Sequence, residues 1–126
     1  MLNTLLVMAG GAIGSALRYQ LGRASLRLLG PGWPWGTFAA NVLGGLAMGL
    51  LVGWLAMRAQ GSEAIRLFVA VGVLGGFTTF SAFSLETMLM IERGDWLPAT
   101  AYALVSVVVS VGALALGLTM MRTVAA

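Results

Sequence analysis

Four apolar runs, each about as long as a hydrocarbon core is thick, take up nearly all of this chain. The first goes from about Leu2 to Leu17 and is closed by Arg18-Tyr19, its helix ending near residue 21. The second covers about residues 35–57, the third about 65–91 and the fourth about 96–121. Roughly 20 apolar residues cross a bilayer as a helix. In lipid every backbone N–H and C=O must be satisfied internally, so such runs are helices. The expected architecture is an all-α membrane protein: one transmembrane domain of four helices over residues 1–126.

Composition excludes the alternatives. Of the 126 residues 60% are apolar and 9% charged, where a soluble domain carries roughly a quarter. The net charge of +3 comes from seven arginines and no lysine. They stand at the ends of the runs, where they orient helices, so no nucleic-acid partner is expected and membrane lipid is. Without cysteine there is no disulfide or thiolate chemistry. Without histidine the commonest general base is missing. Met1-Leu2-Asn3-Thr4 lacks the positive leader of a signal peptide, which makes the first run a retained helix.

The connections are short. Arg23, Arg27 and Gly30-Pro31-Gly32-Trp33-Pro34 read as the first loop, Gln60-Gly61-Ser62-Glu63 as the second, Glu92-Arg93-Gly94-Asp95 as the third. Tyr19, Trp33, Trp35, Trp54 and Trp96 lie near run ends, as interfacial aromatics do. Arg18, Arg23, Arg27 and Arg93 fall on one side of the membrane, and Arg58, Arg66 and Arg122 on the other. Four against three gives the positive-inside rule almost nothing to act on. Either so few arginines carry no meaning, or copies insert both ways up and pair antiparallel. Gly10 with Gly14, Gly11 with Ser15, and Gly45, Gly49 and Gly53 let backbones approach closely, within one subunit or between two.

The third run holds the most unusual stretch, Gly72 to Ser84, centred near Thr78. Paired glycines and paired threonines weaken a helix there, by backbone freedom and by hydroxyl competition. A helix broken at that depth must be buried in protein or line a cavity, and its freed carbonyls suit an alkali cation. The alternative is a continuous helix with a packing notch. Phe77, Phe80 and Phe83 repeat every three residues beside a hydroxyl row of Thr78, Ser81 and Ser84. Ring edges carry partial positive charge and hydroxyls donate hydrogen bonds. Together they could replace water around a small anion without a fixed positive charge. Asn41, with Thr37 a turn before it, adds a donor on the second helix, or serves as interhelical glue. Tyr102, Ser106 and Ser110 make a polar stripe on the fourth. Glu86 is the one acid inside a span, near the interface on the side of Arg18. It reads as an ion-pair partner of Arg18 or as a vestibule residue.

These residues resemble the Fluc (CrcB) family of bacterial fluoride channels nearly end to end. Gly10 to Tyr19 is similar to the family's first-helix signature, Trp35 to Gly44 to its Gly-Thr-(x)3-Asn motif, and Gly75 to Glu86 to its third-helix motif. The resemblance implies an antiparallel, dual-topology homodimer in the inner (plasma) membrane, with two fluoride pathways that relieve fluoride toxicity. It places Asn41, Phe80, Phe83, Thr37, Ser81, Tyr102, Ser106 and Ser110 along the fluoride pathway, and leaves Phe77 outside it. It implies a structural sodium ion between subunits on the backbone carbonyls of Gly75 and Thr78. A proton-coupled drug exporter would need a carboxylate deep in its cavity, and the first helix has no acid. An assembly subunit would leave the polar tracks unexplained. An enzyme would lack an acid–base pair.

Overall fold

The computed structural model describes residues 1–58 and 63–125. Among them the chain is helical with no strand. Helix α1 spans Leu2–Leu29, α2 Trp35–Ala56 and the single turn α3 Glu63–Ile65. A nine-residue π-helical stretch, Arg66–Leu74, leads into α4 (Gly75–Phe77), then α5 (Ser81–Glu92) and α6 (Trp96–Ala125). The connection read at Gln60-Gly61-Ser62 lies outside the described residues.

Among the described residues three stretches are long and apolar enough to cross a membrane: Trp35–Ala56, Glu63–Glu92 and Trp96–Val124. Only 22%, 17% and 11% of their most apolar windows are buried, so most of that apolar surface is turned outward, where lipid takes it. The chain is a multi-pass membrane protein. α1 has 28 residues but is not one of the three, because Asn3, Arg18, Gln20 and Arg23 dilute it.

α1 also runs eight residues past the end expected near residue 21, carrying Arg23 and Arg27 on helix and not on a loop. Beyond Gly22 the segment Arg23-Ala24-Ser25-Leu26-Arg27-Leu28-Leu29 contains no helix breaker. The stop comes at Gly30, whose φ of 79° is open to glycine, and whose N–H closes on Leu26 O at 3.0 Å. Pro31 then cannot continue the helix. Between α5 and α6 the turn is a Schellman motif: Gly94 (φ 85°) donates to Ile91 O at 2.9 Å and Asp95 to Met90 O at 2.8 Å.

The helices are joined by glycine seams within the chain. Gly45, Gly49 and Gly53 of α2 lie against α6 so closely that a Cβ on Gly45 would stand 2.7 Å from Ser110 O, and one on Gly53 2.7 Å from Met121 Cβ. From the other side, Gly117 meets Leu46 O and the Leu50 nitrogen. Gly10 and Gly14 of α1 pack on the π-helical backbone at Phe68, Gly72 and Val73, and Gly76 meets Gly11 O. α2 with α6, and α1 with the third apolar stretch, thus form two seamed pairs, and α1 meets α2 where Gly36 approaches Gly22. A small core of Met90, Ala99 and Tyr102, packed by Trp33, Phe38, Phe83 and Ile91, ties α5 to α6 at one end.

Candidate functional site

Two polar clusters lie within this frame. The first is at the α1–α2 corner. Thr37, in the first turn of α2 and 2% exposed, is placed between α1 and α5. Arg18 Nη2 donates to Thr37 Oγ1 at 3.1 Å, and the Thr37 hydroxyl donates to Glu86 Oε2 at 2.9 Å. The other carboxylate oxygen of Glu86 accepts from the buried Tyr102 hydroxyl at 3.0 Å. The expected direct pairing of Arg18 with Glu86 is therefore replaced by a relay through Thr37. Among the described residues the ion pairs are Arg66–Glu63 and Arg93–Asp95. The carboxylate is held by two hydroxyl donors, with a guanidinium beyond one of them, and such charge-assisted bonds are the strong ones. A cavity of about 310 Å³ opens beside the relay, lined by Arg18, Trp33, Trp35, Thr37, Glu86 and Arg93 among others.

The second cluster surrounds residues 78–80, which lie outside the helices. Thr78 is extended (φ −85°, ψ 158°). Asn41, one turn after Thr37 on α2, pairs with the backbone of Thr79 in both directions: Nδ2 donates to Thr79 O at 3.0 Å, and Thr79 N–H donates to Oδ1 at 2.8 Å. Thr79 Oγ1 in turn accepts from Ala82 N–H at 3.1 Å and opens α5. Gly44 leaves room for the Thr78 side chain. Against this loop and α6 lies an open groove of about 380 Å³, lined by Asn41, Thr78, Phe80, Phe83, Ser106 and Ser110 with apolar neighbours. Phe80 is 77% exposed at its edge. Its ring packs on Phe83 at 5.6 Å between centroids, and Phe83 on Tyr102 at 5.2 Å. An aromatic chain thus runs from the groove to the residue that holds Glu86.

Hydroxyls in these helices behave in two ways. Thr78, Thr87, Thr100, Thr119 and Thr123 each donate to the carbonyl four residues back. The Oγ atoms of Ser106 and Ser110 are buried and have no hydrogen-bond partner among the described residues. Burying an unpaired polar group costs roughly 1–3 kcal/mol, so these two serines, which both line the groove, carry unused hydrogen-bonding capacity.

Residues 5–118 match the family model described as CrcB-like protein, Camphor Resistance (CrcB). The chain belongs to the CrcB-like family. Its similarity to individual members is high along the whole length. A protein of Phenylobacterium zucineum is 60% identical over 121 residues, covering 95% of each chain. One of Hyphomonas neptunium is 57% identical over 121 residues, again 95% of each. One of Novosphingobium aromaticivorans is 55% identical over 127 positions, covering 99% of this chain and all of the relative. Each of these relatives is described as a fluoride-specific ion channel, FluC. They are channels and not enzymes.

Of the residues singled out in the sequence, Asn41, Phe80, Phe83, Ser106 and Ser110 line the groove, and Thr37, Tyr102, Arg18 and Glu86 form the relay. Ser81 lines neither concavity; it is exposed, its Oγ 3.2 Å from Thr79 Oγ1. Gly75 is exposed and also outside both. The sequence marks Thr79 only as one of the paired threonines that weaken the helix, yet it is the residue that Asn41 grips and whose hydroxyl accepts from Ala82 N–H in the first turn of α5. A threonine three residues before Ala82, at the head of a helical run, is the signal that could have marked it.

Proposed function

We propose that this chain is a passive, fluoride-selective channel that exports cytoplasmic fluoride across the bacterial inner membrane and so relieves its toxicity. The observation that carries this reading is the groove wall. Two serines whose hydroxyls have no partner among the described residues line it together with Phe80, Phe83 and Asn41. Asn41 has a second Nδ2–H beyond the one bound to Thr79. Fluoride is small and strongly hydrated, and closely spaced hydroxyl, amide and ring-edge donors replace its water without a fixed positive charge to trap it. The negative interior then drives the anion outward, at ~2.3 kcal/mol per charge per 100 mV. The descriptions of the relatives point the same way.

In this reading α1 is the fourth span, and the interruption at residues 78–80 lies at mid-membrane. A groove open along one side does not enclose an ion. The exposed Phe80 and the near-equal arginine counts support closure by a second copy inserted the other way up, with one pathway from each groove. A structural sodium ion between the copies would be held by the Gly75 and Thr78 carbonyls. The residues fit it: the N–H groups that a regular helix aims at these carbonyls, those of Thr79 and Ala82, are bonded to Asn41 Oδ1 and Thr79 Oγ1. Bound there, sodium supplies positive charge at the meeting of the two copies.

The test is anion efflux from liposomes holding the purified protein, with valinomycin to carry the counter-charge. Fluoride should leave rapidly while chloride is retained, and Phe80→Met or Ser110→Ala should slow the release. No fluoride release from folded protein overturns the reading. A proton-coupled exporter is less consistent with the relay, because both oxygens of Glu86 are already taken by Thr37 and Tyr102.

A further inference from the structure

A cation site built from backbone carbonyls requires those carbonyls to escape the helix that carries them. In an α-helix the carbonyl of residue i accepts from the N–H of residue i+4. Gly75 would accept from Thr79 and Thr78 from Ala82, and here one side chain and one amide intercept both donors. Asn41 Oδ1 takes the Thr79 N–H at 2.8 Å, while its Nδ2 returns a bond to Thr79 O at 3.0 Å. The Thr79 hydroxyl takes the Ala82 N–H at 3.1 Å. Thr78 stays extended between them, and its own hydroxyl is spent on Leu74 O at 3.0 Å.

We infer that Thr79 is a positioning residue for the cation, acting with Asn41 as a latch that keeps the Gly75 and Thr78 carbonyls out of helical hydrogen bonds. The inference deepens the sodium part of the proposed function and rests on it. It also divides the labour of Asn41. Its oxygen and one N–H hold the backbone, leaving a single N–H for an anion in the groove. Without the Thr79 hydroxyl, the Ala82 N–H loses its acceptor, and the extended backbone at Thr78 loses a bond that favours it over rewinding into helix, where the Ala82 N–H would bond the Thr78 carbonyl. A carbonyl already accepting a hydrogen bond is a poorer ligand for sodium.

The test compares wild type, Thr79→Val and Thr79→Ser, purified in detergent. Thermal unfolding is followed as sodium replaces N-methylglucamine at constant ionic strength. Valine keeps the shape of threonine without the hydroxyl, and serine restores the hydroxyl. Wild type and Thr79→Ser should gain stability over the same sodium range. Thr79→Val should need about tenfold more sodium for the same gain, equivalent to ~1.4 kcal/mol and near the top of the range for one neutral hydrogen bond. A sodium dependence unchanged in folded Thr79→Val overturns the latch, and so does a wild type that is indifferent to sodium. If Thr79→Val does not fold, Thr79→Ala, which also deletes the hydroxyl that takes the Ala82 N–H, serves in its place, and an unshifted sodium response there is equally fatal. Failure of fluoride efflux in wild type, with the sodium response intact, would sink the channel and leave the latch standing.

Discussion

Gly112 and Gly117 sit on the same helix, and the structure assigns opposite signs to the same substitution at the two positions. A Cβ on Gly112 meets nothing among the described residues within 4 Å, whereas one on Gly117 would lie 2.6 Å from Leu46 O and 2.8 Å from the Leu50 nitrogen. Those neighbours are backbone atoms, so no rotamer change relieves the overlap and α2 and α6 must part by several tenths of an ångström. Replacing glycine by alanine in a helix gains about 0.8–1.0 kcal/mol of propensity at either site. At Gly117 that gain is offset by an overpacking cost of about 1–3 kcal/mol. Gly112→Ala should therefore be stabilising by up to about 1 kcal/mol. Gly117→Ala should fall about 1–3 kcal/mol below it, because the propensity term cancels in the comparison. The assay is reversible unfolding of both variants in mixed micelles by added SDS, followed by circular dichroism. Equal stability of the two variants, or a more stable Gly117→Ala, would refute the seam as the join between α2 and α6.

Further outcomes follow from the polar clusters. Thr37→Val removes the middle of the relay and strips Glu86 Oε2 and Arg18 of a partner together. It should cost about 2–4 kcal/mol by thermal unfolding, more than Tyr102→Phe, which removes one donor to a charged group at about 1.5–3 kcal/mol. Ser106→Ala and Ser110→Ala delete hydroxyls that have no hydrogen-bond partner among the described residues. Each should leave stability within about 0.5 kcal/mol of wild type or raise it, while fluoride efflux falls, so stability and transport must separate. Asn41→Leu removes both bonds to Thr79. It should lower stability by about 2–4 kcal/mol through the unpaired peptide left behind and speed amide exchange of Thr79, read by mass spectrometry.

The helices were legible because lipid leaves the backbone one way to satisfy itself, and runs of twenty apolar residues announce it. Their ends were less so. Arg23 and Arg27 look like loop residues by charge, yet nothing between Gly22 and Leu29 stops a helix, and Gly30-Pro31 does. The π-helical turns of Arg66–Leu74 leave no mark that the sequence reading registered, since RLFVAVGVL is an ordinary apolar run. Residue types marked the polar candidates, and spacing along each helix grouped them. What spacing along one helix cannot give is the partner on another. Thr37 stands between Arg18 and Glu86, and Asn41 grips Thr79, because α2 crosses both neighbours there. The glycine ladders were open to two readings, and their contacts with Phe68, Val73, Ser110 and Leu114 place Gly10, Gly14, Gly45 and Gly49 inside the subunit.

Those seams have a mechanical consequence. Helices usually slide past one another by small shear motions that interlocking side chains absorb through rotamer changes. Where Gly49 lies on the Leu114 carbonyl and Gly14 on that of Val73, there is no side chain at the contact to absorb anything. Each pair should respond to stress as a stiff beam. The soft degrees of freedom are then the torsions of side chains that line the groove, such as Phe80 and the α2 residue Met48, and the groove keeps its width while its lining moves.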